Sequence, residues 1–301
     1  MLFQVKVPAS SANLGPGFDA LGLAVNLHLT CRFRAADRLE IHAKGRDSEL
    51  IAPGENNFIW QTALNVAAET GRTLPPVYLE IDNDIPIGKG LGSSAAALTA
   101  GVVIADRLLD LNWSPHRILH EAARIEGHPD NVAACVLGSI VASAIDSHGI
   151  ARAVRLPLPE QFGVAIIVPD FVLLTHEARS VLPAQYSKAD AIFNVQRAAL
   201  LIAALATGTV NAFPTALEDR MHQPHRARLV PGLDEILKLR APGLLGCALS
   251  GAGPSVLAFY ERGSENVCDL VSQIFKLRGH NSQAILNGVA TEGFSVTTLE
   301  V

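Results

Sequence analysis

The chain has 301 residues, of which 49% are hydrophobic and 18% are charged, and its formal net charge is −5 at pH 7. This length is enough to bury a large core in one or two domains, and the composition is neither disordered nor fibrous. A chain that binds nucleic acid or an anionic membrane should carry a basic surface. The acidic balance therefore argues against both kinds of partner.

The location of the protein is indicated by three further features. Residues 1–18 have no charged segment followed by an apolar one, which argues against a signal peptide. The mostly apolar stretch 132–145 is shorter than the roughly 20 residues that cross a bilayer. Four cysteines stand far apart in the sequence, a pattern typical of reduced and buried thiols. We therefore expect a soluble cytoplasmic protein.

Hydrophobic spacing predicts strands and helices that interleave along the chain. Because the alternation lacks strict βαβ regularity, it favours an α+β fold over a doubly wound sheet. In chain order we predict strands at 3–7, 23–33 and 39–43, a helix at 57–70, a strand at 77–81, helices at 95–109, 114–124 and 130–136, a strand ending at 145, a strand at 164–168, helices at 188–205 and 232–238, strands at 247–249 and 256–260, a helix at 265–277 and a terminal strand.

A linker is indicated by the segment Leu156-Pro157-Leu158-Pro159, where the composition changes. The sequence therefore predicts two domains, residues 1–155 and residues 156–301. We expect residues 222–232, HQPHRARLVPG, to contain little helix.

The segment 86–97 reads PIGKGLGSSAAA, with three glycines at alternate positions before two serines and a strong helix. The free amides and dipole of such a helix start favour a phosphate, which glycine lets the backbone approach closely. Lys89 can add a mobile positive charge, and Ser93 or Ser94 can cap the helix or contact a phosphate or a metal. The Walker pattern fails because Gly90 follows the lysine. The segment predicts a phosphate loop of another type, with a strand-to-helix turn as the alternative.

Three other segments are polar in a way that suggests a site. Residues 126–131, EGHPDN, place two acids, an imidazole and an amide before an apolar run, although Gly, Pro, Asp and Asn are also turn residues. Glu121 or Glu126 could hold Mg²⁺ together with phosphate oxygens. Residues 249–255 form a second glycine loop, and residues 8–22 are rich in Ser, Asn and Gly.

The three glycine- and serine-rich segments together resemble the small-molecule kinase family named for galactokinase, homoserine kinase, mevalonate kinase and phosphomevalonate kinase. The resemblance spans most of the chain and is most specific in 86–97. Within that family, SSANLGPGFDALGLA, EGHPDNVA and Thr175-x-x-x-Arg179 are similar to the homoserine-phosphorylating branch. This implies phosphoryl transfer from ATP with Mg²⁺ to the hydroxyl of L-homoserine, on the route to threonine. It also implies a ribosomal-S5-like N-terminal domain and a ferredoxin-like C-terminal domain, often as a homodimer.

The resemblance implies roles for individual residues. The expected catalytic residues are Asn13, Lys89, Asp130 and Asn131. The expected substrate-binding residues are Asn13, Asp19, His128, Thr175, Arg179 and Arg226. The expected ATP-binding residues are Pro86, Ile87, Gly88, Lys89, Gly90, Leu91, Gly92, Ser93, Ser94, Ala95, Ala96, Gly251 and Gly253. The expected metal ligands are Ser94, Glu121 and Glu126.

Three questions stay open from the sequence. Asp130 is a candidate base, but positioning and charge neutralisation alone could carry phosphoryl transfer. The substrate could be another small molecule, such as mevalonate or a sugar. A nucleotide-binding regulator without catalysis is the alternative from a different class.

Overall fold

The computed structural model describes residues 1–300, which form two β-sheets with helices packed on them. The first sheet has seven strands, and β11-β1-β2-β4-β3 is the order of its main path, with β5 paired to β2 and β6 paired to β5. These strands are β1 Leu2–Ala12, β2 Leu21–Ala35, β3 Glu40–Gly45, β4 Val77–Asn83, β5 Ile140–Ile145, β6 Ala151–Leu156 and β11 Ser295–Leu299. Strands β3 and β4 pair in parallel, and the other strand pairs described in this sheet are antiparallel.

Four helices accompany this sheet: α1 Phe58–Glu69, α2 Ser93–Leu108, α3 Pro115–Glu126 and α4 Asp130–Leu137. Helices α2 and α4 pack directly on β1 and β2. Helix α2 is Ala-rich and mostly buried, and it packs against α1 and β1. Ser114 caps α3 by accepting the Arg117 amide, and Pro115 occupies the first turn. Gly127 ends α3 with a left-handed backbone, φ 88°. This ending turns the chain sharply into the polar segment before α4.

The second sheet has four antiparallel strands in the order β10-β7-β9-β8. Its strands are β7 Phe162–Pro169, β8 Leu244–Leu249, β9 Val256–Glu261 and β10 Ser282–Ile285. The helices of this half are α5 Thr175–Ser180, α6 Lys188–Thr207, α7 Phe213–Ala216, α8 Gln223–Arg226, α9 Leu233–Leu237 and α10 Asp269–Leu277. Every residue of β7 is buried, which explains its unbroken apolar sequence.

The path of the chain differs from the expected division in one respect. Strand β11 returns to the first sheet and pairs with β1, so residues 295–299 do not lie in the second sheet. The other boundary stays a prediction: β6 ends at Leu156 in the first sheet, and β7 begins at Phe162 in the second. A short terminal strand carries too little sequence signal to show which sheet it joins.

Several short elements were not predicted from the sequence. Strands β6 and β10 and helices α5, α7 and α8 have six residues or fewer, which is too short for a periodic pattern to stand out. The segment after residue 222 was expected to be poor in helix, but Gln223–Arg226 forms a helical turn. That turn sets the direction of the Arg226 side chain.

Two features bear on the expected environment of the protein. All four cysteines are free and buried, as expected. Helix α6 is longer than the apolar stretch 132–145, and it has an 18-residue window of mean hydropathy 1.4, of which 22% is buried. By length and composition alone α6 could cross a membrane, and a single helix of this kind is weak evidence for that.

Candidate active site

A cleft of about 270 Å³ collects most of the residues that the sequence singled out. The two glycine loops, the polar segment before α4 and the start of α5 all reach it. It is lined by Ala12, Asn13, Asp19, Ile87, Gly88, Gly90, Leu91, Gly92, Ser93, Ser94, Ala95, Glu126, His128, Asp130, Asn131, Leu173, Leu174, Thr175, Arg179, Arg226, Gly251 and Ala252. Pro86, Lys89, Ala96, Glu121 and Gly253 were expected at the site but do not line the cleft.

One side of the cleft is the N-terminus of α2. Gly92 precedes the helix with φ 64° and offers no capping side chain. The first amides of the helix, which have no intrahelical acceptor, therefore receive none from the N-cap side chain either. A Cβ at Gly92 would lie 2.0 Å from Ser10 Oγ, and one at Gly90 would lie 2.4 Å from the Ser250 carbonyl oxygen. Both glycines are therefore required by close packing as well as by backbone conformation. This side can bind an anion through backbone N–H groups.

The second glycine loop closes on the first. Ser250 Oγ donates to the Gly90 carbonyl at 2.7 Å, and the Gly251 amide donates to Ala12 at 3.0 Å. Asn13 donates through Nδ2 to the Gly251 carbonyl at 3.1 Å and accepts the Asp19 amide on Oδ1 at 3.0 Å. The N-terminal loop is thus fixed to both halves of the molecule. The sequence singled out the loop 249–255, which contains Ser250, but predicted no role for this serine itself.

Lys89 is placed differently from what the resemblance implied. Its ammonium donates to the carbonyls of Pro169 at 3.0 Å and Phe171 at 2.7 Å, at the end of β7. Burial lowers the pKa of Lys89, and the negative charges of Asp170 and Asp47 oppose that shift. The side chain ties the phosphate loop to the second sheet and does not point into the cleft. A direct catalytic contact by Lys89 is therefore not supported.

Acidic groups and an imidazole lie together opposite the phosphate loop. His128 Nδ1 is 2.8 Å from Asp130 Oδ1, and this hydrogen bond raises the pKa of His128. Asp130 also accepts the Asn131 amide at 2.7 Å, and its side chain is buried. Ligand atoms of Asp19, His128 and Asp130 all lie within 4.8 Å of one another. The group can receive a cation, either a metal or an ammonium.

Two arginines stand beside these acids. Arg179 Nη2 donates to Asp19 Oδ1 at 3.1 Å, with both side chains partly exposed in the cleft. Arg226 is 2% exposed, and burial together with the nearby Arg179 charge lowers its pKa to about 10. Two like charges held in one partly desolvated cleft favour the binding of an anion between them. The acceptor side therefore carries both signs of charge.

The two candidate magnesium glutamates occupy different places. Glu121 is 1% exposed, and its oxygens contact Arg124 at 2.6 Å and Arg117 at 3.5 Å. Its charge is already compensated by two arginines of the same helix α3, which corrects the expectation that Glu121 could bind the metal. Glu126 lines the cleft together with the Ser94 hydroxyl, and burial raises the pKa of its carboxyl group. Glu126 and Ser94 remain the metal-ligand candidates.

A second cavity of about 300 Å³ adjoins the phosphate loop and shares Ile87, Ser93 and Ser94 with the cleft. Its walls are mostly apolar side chains, with three asparagines. The remaining lining residues are Leu29, Leu50, Ile51, Ala52, Asn56, Asn57, Phe58, Ile59, Ile81, Asn83 and Ala97. Apart from Ala97, the sequence did not single them out, but the apolar Leu50 and Phe58 on either side of Pro53-Gly54 were an available signal.

The known proteins that this chain resembles belong to one family. Residues 57–139 match the N-terminal domain of GHMP kinases, and residues 201–275 match the C-terminal domain of GHMP kinases. A homoserine kinase of Solibacter usitatus is 68% identical over 295 residues, covering 98% of this chain and 97% of the relative. A homoserine kinase of Deinococcus radiodurans is 48% identical over 264 residues, covering 87% and 86%.

The solved structures extend the agreement to the fold. The crystal structure of homoserine kinase from Cytophaga hutchinsonii has a TM-score of 0.83 at 29% identity, covering 98% of this chain and 97% of that one. Galactokinase of Lactococcus lactis has a TM-score of 0.71 at 15% identity, covering 98% and 95%, and it shares the fold. The fold and the glycine-lined cleft define a two-domain small-molecule kinase. The chain belongs to the GHMP kinase family.

Proposed function

We propose that this protein transfers the γ-phosphoryl group of ATP to the side-chain hydroxyl of L-homoserine, giving O-phospho-L-homoserine. The observation that carries the proposal is a bipolar acceptor side facing a phosphate-binding helix start in one cleft. Homoserine is a small zwitterion, so its binding needs an anion for the ammonium and a cation for the carboxylate. Relatives that are 68% and 48% identical are homoserine kinases, which supports the same substrate here.

The amino-acid end of homoserine lies between the charged side chains in this proposal. Arg226 and Arg179 bind the carboxylate, since a guanidinium can pair with it through two parallel hydrogen bonds. Asp19 and the His128–Asp130 pair face the ammonium. Thr175 lines the same part of the cleft and begins α5, which also carries Arg179. The hydroxyl then projects toward Asn13 and the phosphate loop.

ATP occupies the phosphate loop and the adjoining apolar cavity. The free amides at the start of α2 bind the phosphates, and Gly90 and Gly92 allow the close approach. The cavity that shares Ser93 and Ser94 with the cleft has apolar walls for a purine ring. Asn56, Asn57 and Asn83 border it. Asn57 already caps α1, and the side chain of Asn83 is hydrogen-bonded to the backbone of Arg46 and Ile85. Asn56 is therefore the candidate for contacting the base.

Glu126 and Ser94 fit a magnesium ion that enters with ATP. Both offer hard oxygen ligands at one end of the cleft, and a carboxyl group whose pKa is raised by burial gains a counter-charge from a divalent cation. When bound, the ion would neutralise developing charge on the phosphate oxygens. The residues of the chain orient the two substrates and exclude water from the transferred group.

The carboxylate of Asp130 is already hydrogen-bonded within the protein, which argues against its acting as a free base. Its Oδ1 receives both the His128 ring and the Asn131 amide, and Asn131 accepts the Ser10 hydroxyl at 2.9 Å. Asn131 and Asn13 are left to orient the acceptor hydroxyl. Phosphoryl transfer can proceed through positioning and charge neutralisation when reactants are held in line. Lys89 stabilises the phosphate loop through its hydrogen bonds to the carbonyls of Pro169 and Phe171, on the side away from the cleft.

A coupled ADP-release assay tests the proposal. L-homoserine, mevalonate and galactose are compared at saturating ATP and Mg²⁺, and ³¹P NMR identifies the product as a phosphate monoester of homoserine. We expect ADP release that depends on homoserine alone. Equal ADP release without homoserine, or a preference for mevalonate or galactose, would contradict the proposal.

A further inference from the structure

A buried imidazole lies directly behind the acceptor side of the cleft. His222 has no exposed surface and does not line the cleft, so it touches no substrate. Its two ring nitrogens contact groups from two other parts of the chain. Nδ1 is 3.1 Å from Arg226 Nη1, and Nε2 is 2.7 Å from the carbonyl oxygen of Gly15.

The hydrogen-bond partners fix the protonation of this ring. A guanidinium has only N–H donors, so His222 Nδ1 must accept from Arg226 and carries no proton. The Gly15 carbonyl only accepts, so Nε2 must carry the proton and donate it. The ring is therefore the neutral Nε2–H tautomer. Burial lowers the pKa of His222, which agrees with a neutral ring.

The arginine is held by three acceptors. Nε donates to the Ala178 carbonyl at 3.1 Å, and the two hydrogens of Nη1 go to the Gly251 carbonyl at 2.9 Å and to His222. Within residues 1–300, Nη2 has no protein acceptor among the hydrogen bonds of Arg226, so its two donors are left for a ligand. His222 supplies the one acceptor from a side chain.

The same ring is anchored on its other sides. Phe18 stacks on it with ring centres 5.4 Å apart, and Phe18 precedes the ammonium-facing Asp19 in the chain. Asp219 accepts the amides of His222 at 2.9 Å and Gln223 at 2.7 Å, so its carboxylate caps the turn that carries the imidazole. Asn194 of α6 donates to Asp219 at 2.7 Å. The imidazole is therefore held on several sides, and it lies between Arg226 and the N-terminal loop that carries Asp19.

We propose that His222 is a positioning residue that orients the Arg226 guanidinium toward the substrate carboxylate and couples it to the loop that carries Asp19. The inference rests on the proposed function, because it assumes that an α-amino acid is the acceptor. His222 sets the spacing between the carboxylate-binding and ammonium-binding groups. It acts through Arg226 and Gly15 and leaves the ATP side unaffected.

A matched pair of variants separates the two contacts of the ring. In His222→Asn the amide oxygen can take the place of Nδ1 and still accept from Arg226, but the side chain cannot reach Gly15. In His222→Gln the amide can reach Gly15 from the place of Nε2 but loses the acceptor for Arg226. We expect the KM for homoserine to rise about 10-fold more in the Gln variant than in the Asn variant, as loss of a charge-assisted hydrogen bond predicts. The KM for ATP should match the parent in both.

His225→Gln is the control, because His225 lies on the same helical turn but packs against Tyr186 outside the cleft. We expect it to leave both KM values unchanged. Equal KM changes for homoserine in the Asn and Gln variants would show a merely structural role and overturn the proposal. A parallel rise in the KM for ATP would also overturn it.

Two measurements keep this inference separate from the proposed function. If the parent protein shows no homoserine-dependent ADP release, the proposed function fails, and the carboxylate role of His222 fails with it. If the parent does use homoserine, the variants alone decide the role. Long-range ¹H–¹⁵N spectra, assigned with the His222→Gln variant, should show a protonated Nε2 and an unprotonated Nδ1. The spectra are recorded on the parent protein, so a protonated Nδ1 would overturn the proposal even if the variants fold poorly.

Discussion

The two sides of the cleft bind their ligands through different chemical groups. The phosphate side uses backbone amides at the start of α2, brought close by Gly90 and Gly92. The acceptor side uses charged side chains, which need partners behind them to stay in place; Arg226 alone is held by three acceptors. Steric changes should therefore damage the first side most, whereas loss of single polar contacts should damage the second.

The largest effect is expected on the phosphate side. Gly92→Ala adds a Cβ 2.0 Å from Ser10 Oγ at a residue with φ 64°. The displaced helix start should lower kcat/KM by about 100-fold or more, the scale of losing a backbone anion donor. Gly71→Ala is the control, since Gly71 has φ 65° and nothing within 4 Å of the added atom. The control should cost only the backbone strain, roughly 1–2 kcal/mol of unfolding free energy. Equal activity in the two variants would remove the steric argument.

The acceptor side should respond next. Arg226→Leu removes the carboxylate-binding donors and should lower kcat/KM for homoserine by about 10- to 150-fold, since a charge-assisted hydrogen bond contributes about 1.5–3 kcal/mol. The KM for ATP should stay close to that of the parent. Exposed Arg228 on the same segment gives the control variant Arg228→Leu. If Arg226→Leu behaves like Arg228→Leu, Arg226 does not bind the acceptor.

Removal of one neutral ligand should have a smaller effect. Ser94→Ala keeps the helix start, because alanine is a strong helix former, but removes a hydroxyl from the metal-ligand candidates. We expect kcat to fall about fivefold, the scale of one neutral hydrogen bond. A titration of Mg²⁺ at fixed ATP should show a weaker apparent metal affinity. Parental kinetics at every Mg²⁺ concentration would place the metal elsewhere.

Lys89→Met distinguishes support of the phosphate loop from direct catalysis. Because the ammonium binds the Pro169 and Phe171 carbonyls, its loss should loosen the loop and raise the KM for ATP about fivefold, as for loss of an ordinary hydrogen bond. The value of kcat should change less than the KM. A large fall in kcat with an unchanged KM would restore a catalytic role for Lys89.

Protonation of His222 and protonation of His128 should change the stability of the protein in opposite directions as the pH is varied. The pKa of His222 in the folded protein is lowered from 6.5 by burial. Just below pH 6.5 the unfolded chain therefore binds a proton on this residue, whereas the folded chain does not. The unfolding free energy should therefore fall as the pH decreases below 6.5. His128 has a raised pKa, so its contribution is present below 6.5 and is lost as the pH rises through its folded value. Thermal unfolding of His222→Asn should show a shallower acid slope than the parent, and a slope equal to the parent's would contradict this.

The sequence predicted features whose cause is local. Gly92 and the serines after it indicated a phosphate-binding helix start, because the glycine conformation and the helix start that bind a phosphate are both set by consecutive residues. The compensation of Glu121 could also have been foreseen, since Arg117 and Arg124 stand four residues before and three residues after it on a helix. Both features need only the chain near the residue.

Features that depend on distant segments were not predictable in this way. The direction of Lys89 depends on two carbonyls of the loop after β7, and the role of His222 depends on Gly15. Strand β11 was expected, but its partner β1 lies at the other end of the chain. A short helical turn at Gln223–Arg226 gave no periodic signal although it aims Arg226. Such placements follow from packing between sheets rather than from local spacing.

The bipolar acceptor side is tested most directly by two analogues of homoserine. The compound 4-hydroxybutyrate keeps the hydroxyl and the carboxylate but lacks the ammonium, and 3-aminopropan-1-ol keeps the hydroxyl and the ammonium but lacks the carboxylate. Measured by coupled ADP release, each should have a kcat/KM about 10- to 150-fold below that of L-homoserine, because one set of charged side chains stays unpaired. Values equal to that of L-homoserine for either analogue would contradict recognition of the zwitterion.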